Sequence, residues 1–416
     1  MAIVQNVRHL FVNAYSGIKR EVWLLSLIML INRSGALVFP FLSIYLTRHL
    51  GFSEIQAGWV LSAYGVGSMV GTLTGGWLTD KYGSFRTQFG ALVLSGIGWI
   101  ILAHITEYHH LLMLAFIQSS IGDIFRPANN SSITLFTDAG NRTRSFSLNR
   151  MAMNLGYSIG PAIGGIFATI SYTLLFWGDG LSCIFSSIAF FIIFRRYFTK
   201  KGPVEEDRPE IPVRGETTGP LKDTIFLVFV ISVILFATVF FQMLFTLPIY
   251  YAQHYKIGEA HIGTLLAVNG LFVFVSEMAF VHYVGNRIEN HKLIIAGVLA
   301  TGLSFIMLNW VHHSAWLIVA MIVLSLAEIL SMPFMQTYVA NRATQSNIGR
   351  YLALYSFAFS VAFIFAPPLG MWTIKNFGFH MLWNGCMAVA AINTVVIYFV
   401  FKADKHRKAS LKSERG

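Results

Sequence analysis

A chain of 416 residues that is 55% hydrophobic and 12% charged is not a string of soluble domains, in which about a quarter of residues carry charge. This is the composition of a polytopic membrane protein, and the net charge of +11 must be read through its placement before any nucleic-acid partner is considered. Two cysteines, Cys183 and Cys386, both lie in apolar runs, which argues against a disulfide framework or a cysteine metal site.

Residues 1–20 carry Arg8, Lys19 and Arg20 among aromatics and lack the apolar run and cleavage site of a signal peptide. They are expected to form a cytoplasmic interfacial segment. Apolar runs follow at about 22–47, 54–78, 87–105, 110–137, 146–169 and 173–194. As helices they suit roughly 30 Å of hydrocarbon. The interval 195–223 is rich in Lys, Arg, Glu and Pro and has too little hydrophobic content to fold alone, so it reads as a surface linker. Six more runs lie at about 224–250, 261–284, 293–310, 315–340, 350–374 and 380–401, before a basic tail at 402–416. The expected fold class is an all-α polytopic membrane protein with twelve transmembrane helices in two six-helix halves, 21–194 and 224–401.

Charge placement orients the chain. With the amino terminus in the cytoplasm, only Arg48, Lys256 and Lys375 of the 30 Lys and Arg residues fall in opposite loops, and Arg33, Arg126 and Arg150 fall in spans. All the rest are cytoplasmic, so the basic balance is a topology signal that puts both termini inside. Nucleic-acid binding is not expected.

Between the second and third runs, Gly75–Arg86 forms a polar hinge with the sequence GGWLTDKYGSFR. Internal repetition is legible as well. An offset of 206 sets Lys81 on Arg287, Arg86 on Lys292, Pro127 on Pro333, Arg144 on Arg350 and Trp177 on Trp383, and Gly160, Pro161 and Gly164 on Ala366, Pro367 and Gly370. An offset of 205 matches Glu54, Gly58 and Gly65 with Glu259, Gly263 and Gly270. The halves therefore read as parallel repeats.

Two parallel six-helix halves, a basic linker and a glycine-acid-base hinge resemble the major facilitator superfamily along the whole chain. In the hinge, Gly76, Leu78, Asp80, Lys81 and Gly83 match the family pattern, whereas Ser84 and Phe85 occupy two basic places and Arg86 follows one later. The fifth span reads GYSIGPAIGG, with Gly156, Gly160, Pro161, Gly164 and Gly165, and is similar to the motif of the twelve-helix drug:proton antiporters. The resemblance implies alternating access and proton-coupled export. The same glycines equally suit close helix packing, and Pro161 bends the helix. Gln118 stands where antiporters often place an arginine.

A charge at a helix centre costs about 2.5–3.5 kcal/mol on insertion scales unless paired or hydrated, so each charge within a span needs a reason. Asp123 and Arg126 are three residues apart and share a helix face; they either neutralise each other beside Pro127 or form a proton site and its tuning cation. Arg33 has no local acid and is expected to face a cavity. Glu328, one position from the repeat equivalent of Asp123, is a second proton-coupling candidate, with Glu277 a third nearer a helix end. Asp179, between Gly178 and Gly180, is a lesser candidate.

Tyr64, Gln118, Asn129, Asn130, Asn154, Gln242, Asn269 and Gln336 are mid-span polar residues that either meet substrate or join helices. His282 reads as an interfacial anchor. Gly76, Asp80, Lys81, Gly83, Arg86 and Arg150 form the expected cytoplasmic gate, in which Arg150 pairs with Asp80 as a latch. No catalytic or nucleotide-binding motif is present, so no cofactor or metal is expected and transport must run on gradients. The expected partners are a small-molecule substrate, protons and the lipid bilayer around a functional monomer in a bacterial inner membrane. A facilitator or symporter for one metabolite, or a non-transporting scaffold or receptor, are the alternatives.

Overall fold

The computed structural model describes residues 17–137, 142–198, 219–285, 287–310, 315–342 and 348–413. The expected amino-terminal segment before residue 17, most of the linker and the last residues of the tail lie outside them, as does the His282 side chain. Among the described residues, all regular structure is helical.

The longer helices, numbered in chain order, are α1 (Arg20–Ser34), α2 (Glu54–Tyr82), α3 (Ser84–Leu102), α4 (Tyr108–Asp123), α5 (Phe125–Leu135), α6 (Arg142–Ile170) and α7 (Tyr172–Phe194). They continue with α8 (Thr224–Phe240), α9 (Glu259–Gly285), α10 (Asn290–Ile306), α11 (Ala315–Arg342) and α12 (Ile348–Ser413). Among the described residues, eight helical stretches are long and apolar enough to cross a membrane. The last, Arg350–His406, holds both final runs, which part where Gly378 takes φ 76°. The second, fourth and fifth runs, on α2, α4 with α5, and α6, are not among the eight; glycine, serine and asparagine dilute their apolarity.

Local chemistry sets several boundaries. Gly83, at φ 85°, supplies the left-handed residue between α2 and α3. Ser171 accepts the Thr173 amide at the start of α7, and Asp223 accepts the Phe226 amide at the start of α8. The basic tail continues α12 as helix to Ser413.

The chain divides into two compact units, one of residues 1–41 and 66–207 and the other of 42–65 and 208–416. This differs from the expected boundary, because residues 42–65 fold with the second half of the sequence. The glycines of α2 show why. Cβ atoms on Gly58 and Gly65 would lie 3.1 Å from Pro368 Cα and from the Phe363 carbonyl oxygen, so this part of α2 is built to lie against α12.

In the first unit, a separate stripe on α2 meets α4. A Cβ on Gly67 would lie 2.2 Å from the Phe116 carbonyl oxygen, one on Gly71 2.2 Å from that of Ser120, and one on Gly75 2.8 Å from Ile124 Cα. Gly71→Ala drives a methyl into backbone that cannot swing aside, and is expected to destabilise by about 1–3 kcal/mol. A thermal midpoint equal to wild type in detergent would show that α2 and α4 are free to separate.

Where the hinge departs from the family pattern, it contributes to the core. Phe85 is buried and stacks on Phe190 and Tyr197, with ring centroids 5.9 and 5.2 Å away, and Phe136 and Phe194 close the cluster. Ser84 accepts from Ser132, which also accepts from Gln88. Aromatic packing thus ties α3 and α7 to the end of α5.

The corresponding end of the second unit is tied by buried ions. Arg342, at the end of α11, grips Asp223 with Nε and Nη2, both at 2.7 Å, and reaches Asp404 of α12 with Nη1. Tyr351 donates to Asp223 at 3.2 Å. The Arg342, Asp223 and Asp404 side chains are 7%, 5% and 8% exposed, so the group is shielded from solvent. Elsewhere in this unit, Trp383 is fully buried and stacks on Phe305 at 5.4 Å. Both cysteines are buried and free.

Candidate functional site

The first span is broken. Helix α1 stops at Ser34, and helical structure resumes at Phe39–Phe41; the Gly35 and Ala36 amides still reach back to Ile31 and Arg33, but Leu37 turns to the Gly35 carbonyl at 2.8 Å, so the Leu37 and Val38 amides lack helical partners. Asp179 of α7 meets this need: its Oδ2 accepts the Leu37 amide at 3.1 Å and the Val38 amide at 3.3 Å. The neighbouring residues permit the approach. A Cβ on Gly178 would lie 2.6 Å from Leu37 Cδ1, and one on Gly35 would meet the Ser182 side chain at 1.8 Å.

The glycine-proline motif of α6 lines the other side of the same break. Cβ atoms on Gly156, Gly160 and Gly164 would lie 2.5 Å from Arg33 Cβ, 3.1 Å from the Ala36 carbonyl oxygen and 3.1 Å from that of Leu37. Pro161 and Gly165 are buried on the same helix. Arg33 thus leaves α1 just before the break, half-buried, with its guanidinium carbon 5.6 Å from the Tyr157 ring centroid. Sequence reasoning ranked Asp179 low; the signal that identifies it is an acid flanked by two glycines in an otherwise apolar span.

Two further carboxylates each accept a hydrogen bond from a neutral group on a neighbouring helix. Asp123, at the end of α4, accepts a hydrogen bond from Ser68 of α2 and pairs with Arg126 at 3.3 Å; its side chain is 15% exposed and that of Arg126 55%. In the second unit, Asn269 Nδ2 of α9 donates to Glu328 of α11 at 3.2 Å and to Ser325 at 3.0 Å. In the register that sets Pro127 on Pro333, Glu328 lies one position from the repeat equivalent of Asp123. Serine hydroxyls and asparagine amides both donate and accept, so each carboxyl retains a partner whether or not it carries a proton.

Other expected site residues have different surroundings. Gln118 is buried and donates to the Ser95 carbonyl and hydroxyl oxygens, both at 3.0 Å, so it joins α3 to α4 at the floor of an apolar groove of about 200 Å³. The walls of that groove include the exposed Leu94, Ile97 and Ile117, so it opens away from the helix core. Gln242 is buried and donates to the Ala366 carbonyl at 3.0 Å, and Asn129 donates to Asn149 at 3.3 Å. Gln118 and Gln242 thus join helices, one of the two roles expected of them. Tyr64 is half-buried with its ring centroid 6.5 Å from that of Phe363. Asn154 and Glu277 are half-buried, and Asn130 and Gln336 are exposed.

The expected latch is not formed. Asp80 is exposed on the last turn of α2, Arg150 is half-buried on α6, and no ion pair joins the two among the described residues. Lys81 lies over Trp77 and Tyr82, at 4.8 and 5.2 Å from the ring centroids. Arg86 donates to the Phe198 carbonyl at 3.2 and 3.0 Å, so its charge fastens the end of the sixth span. Gly76 has open space around its Cβ position, and Gly75 takes the close contact instead. Among the described residues, no three His, Cys, Asp or Glu side chains converge as a metal site.

Comparison with known proteins agrees with this architecture. A POT family transporter solved with a thioalcohol-conjugated peptide has the same fold, with a TM-score of 0.77 at 16% identity over 94% of this chain and 97% of that one. A Na(+), Li(+), K(+)/H(+) antiporter of Planococcus maritimus is 26% identical over 91% of this chain and 95% of its own. A multidrug resistance efflux pump PmrA homolog of Lactococcus lactis subsp. lactis (strain IL1403) is 31% identical over 40% of this chain and 42% of its own. The Major Facilitator Superfamily profile matches residues 22–292 and 251–416, essentially the whole chain: this protein belongs to that superfamily of membrane transporters.

Proposed function

We propose that this transporter is a proton-coupled antiporter that exports small apolar or amphipathic compounds, with Asp123 and Glu328 as its proton carriers. The observation that carries the reading is a pair of carboxylates on the fourth and tenth spans, one position apart in the repeat register, each given a hydrogen bond by a neutral, reorientable group on a neighbouring helix. A carboxylate that takes a proton from one side and releases it to the other neutralises an intramembrane charge while the helices move. The break in the first span, lined by the α6 glycines, supports the moving part of that cycle. Export from a bacterial cytoplasm across the inner membrane by a monomer with both termini inside completes the reading.

A second reading is exchange of an alkali cation for protons. The Planococcus relative favours it by its name, and the oxygen atoms of Glu328, Asn269 and Ser325 are hard ligands suited to such ions.

Proteoliposomes with an internal pH dye test both. Lipophilic cations, neutral drugs, organic anions and Na+, Li+ or K+ salts are added in turn to vesicles holding an imposed pH gradient. Proton movement triggered by an organic compound and not by salts supports drug antiport, whereas a response to salts alone supports the second reading. Silence across the panel, with protein that is folded by thermal melt, would sink both and favour a specific metabolite carrier.

A further inference from the structure

Asp179 is a buried acid within a span that the antiport reading leaves without a role. The residue is 3% exposed within the sixth predicted span, and it sits at the point where the first span loses its helix. Both held amides converge on Oδ2, while Oδ1 faces the Cys183 thiol at 3.9 Å. Arg33 of α1 acts on it electrostatically, and Asn32 of α1 donates to Cys183 at 3.4 Å. From α6, the glycines of the motif lie against Arg33, Ala36 and Leu37, and the Tyr157 ring lies beside Arg33.

The second half has no such acid. The offset of 206 that superposes Trp177 on Trp383 sets Asp179 on Gly385. There the interruption of the seventh span near Phe241–Thr246 is held by the uncharged amide of Gln242, which donates to Ala366, the equivalent of Gly160. A charge has therefore been placed at the joint where the first span loses its helix, whereas at the corresponding place in the seventh span helical hydrogen bonds continue from Phe241 to Ala237 and from Thr246 to Gln242. A carboxyl buried at this depth is stable either as an anion held by hydrogen bonds or as a neutral acid.

We propose that Asp179 is a further proton-binding site of this carrier, and that its negative charge holds the first span in its broken form. The proton adds to Oδ1, because Oδ2 is occupied by the two amides. The Leu37 and Val38 amides then donate to a neutral carbonyl oxygen. Charge-assisted hydrogen bonds are roughly twice as strong as neutral ones, so the hold on the break weakens. Arg33 loses a counter-charge in the same step. Proton binding is thereby linked to movement of the first span against the α6 glycines, a link the antiport reading requires and on which this inference rests.

Hydrogen–deuterium exchange on the full chain in lipid nanodiscs tests this without a transport assay. After correction for the intrinsic pH dependence of amide exchange, residues 35–41 of the wild type are expected to lose protection several-fold as pH is lowered. Asp179→Asn, which keeps an acceptor oxygen but no charge, is expected to show the low-protection level at every pH. In the pH-dye assay its proton flux should follow a shifted pH profile.

Wild-type protection at 35–41 that is independent of pH would overturn the proposal, and that result needs no variant to fold. An Asp179→Asn protein with wild-type protection and a wild-type pH profile would overturn it equally. A chain that moves no protons, yet shows the pH-dependent break in the wild type and the low-protection level at every pH in Asp179→Asn, would sink the antiport reading while upholding Asp179 as the titrating group.

Discussion

Proteoliposomes carrying Asp123→Asn or Glu328→Gln are expected to lose substrate-triggered proton movement, down to the level of protein-free vesicles. Each substitution keeps the shape and one hydrogen bond: the new amide at position 123 still offers an oxygen to Ser68, and the new amide at position 328 still offers one to Asn269. What is removed is the capacity to exchange a charge for a proton. Substrate counterflow, which needs no net proton movement, is expected to survive in a variant whose only fault is coupling. Normal proton flux in both single variants and in the double variant would remove these residues from the mechanism. Loss in one alone would assign coupling to that half, leaving the other acid as a helix fastener. For Asp123, Arg126→Gln separates the roles further, since the 3.3 Å ion pair is largely exposed on the arginine side and contributes little to stability. A changed pH profile with unchanged thermal stability is the expected result.

Arg342→Ala is expected to destabilise the second unit by about 3–5 kcal/mol, because it leaves Asp223 and Asp404 buried without their cation. The measurement is the unfolding midpoint in detergent. Arg342→Met combined with Asp223→Asn and Asp404→Asn should recover most of the loss, since no uncompensated charge remains. A midpoint for Arg342→Ala equal to wild type would show that these ends hold together without the ions.

The sign of the pH dependence follows from Asp223, which lies outside the spans. Burial alone would raise its carboxyl, but the two-pronged Arg342 contact and the Phe226 and Tyr351 hydrogen bonds outweigh this and bring it below its usual value. A lowered folded-state value means that the stabilisation is complete above the unfolded-state pKa and is lost as pH falls through the folded one. The loss therefore begins only below about pH 4. The ion group is a fixed tie across the physiological range and not a switch.

Much of the architecture was legible because a bilayer leaves few choices. Apolar runs of spanning length have to be helical, since every backbone amide needs a partner in hydrocarbon, and the repeat of Trp177 at Trp383 and of Pro161 at Pro367 survives in linear order. Superfamily membership followed from the same features, and the profile match confirms it. The adjacency of Asp123 and Arg126 was also local, three residues along one chain. Contacts over long separations were not legible, because a sequence gives a residue's depth but not the direction its helix face takes. Direction alone decided that Asn269 reaches Glu328, that Arg342 joins Asp223 and Asp404, and that Gln118 is spent on Ser95. Tertiary structure likewise decided that residues 42–65 fold with the second half, and that Asp179 fills a break in a span 142 residues away from it in sequence. Apolarity and periodicity determined which segments enter the membrane; the orientation of each helix about its own axis determined which polar groups meet inside it.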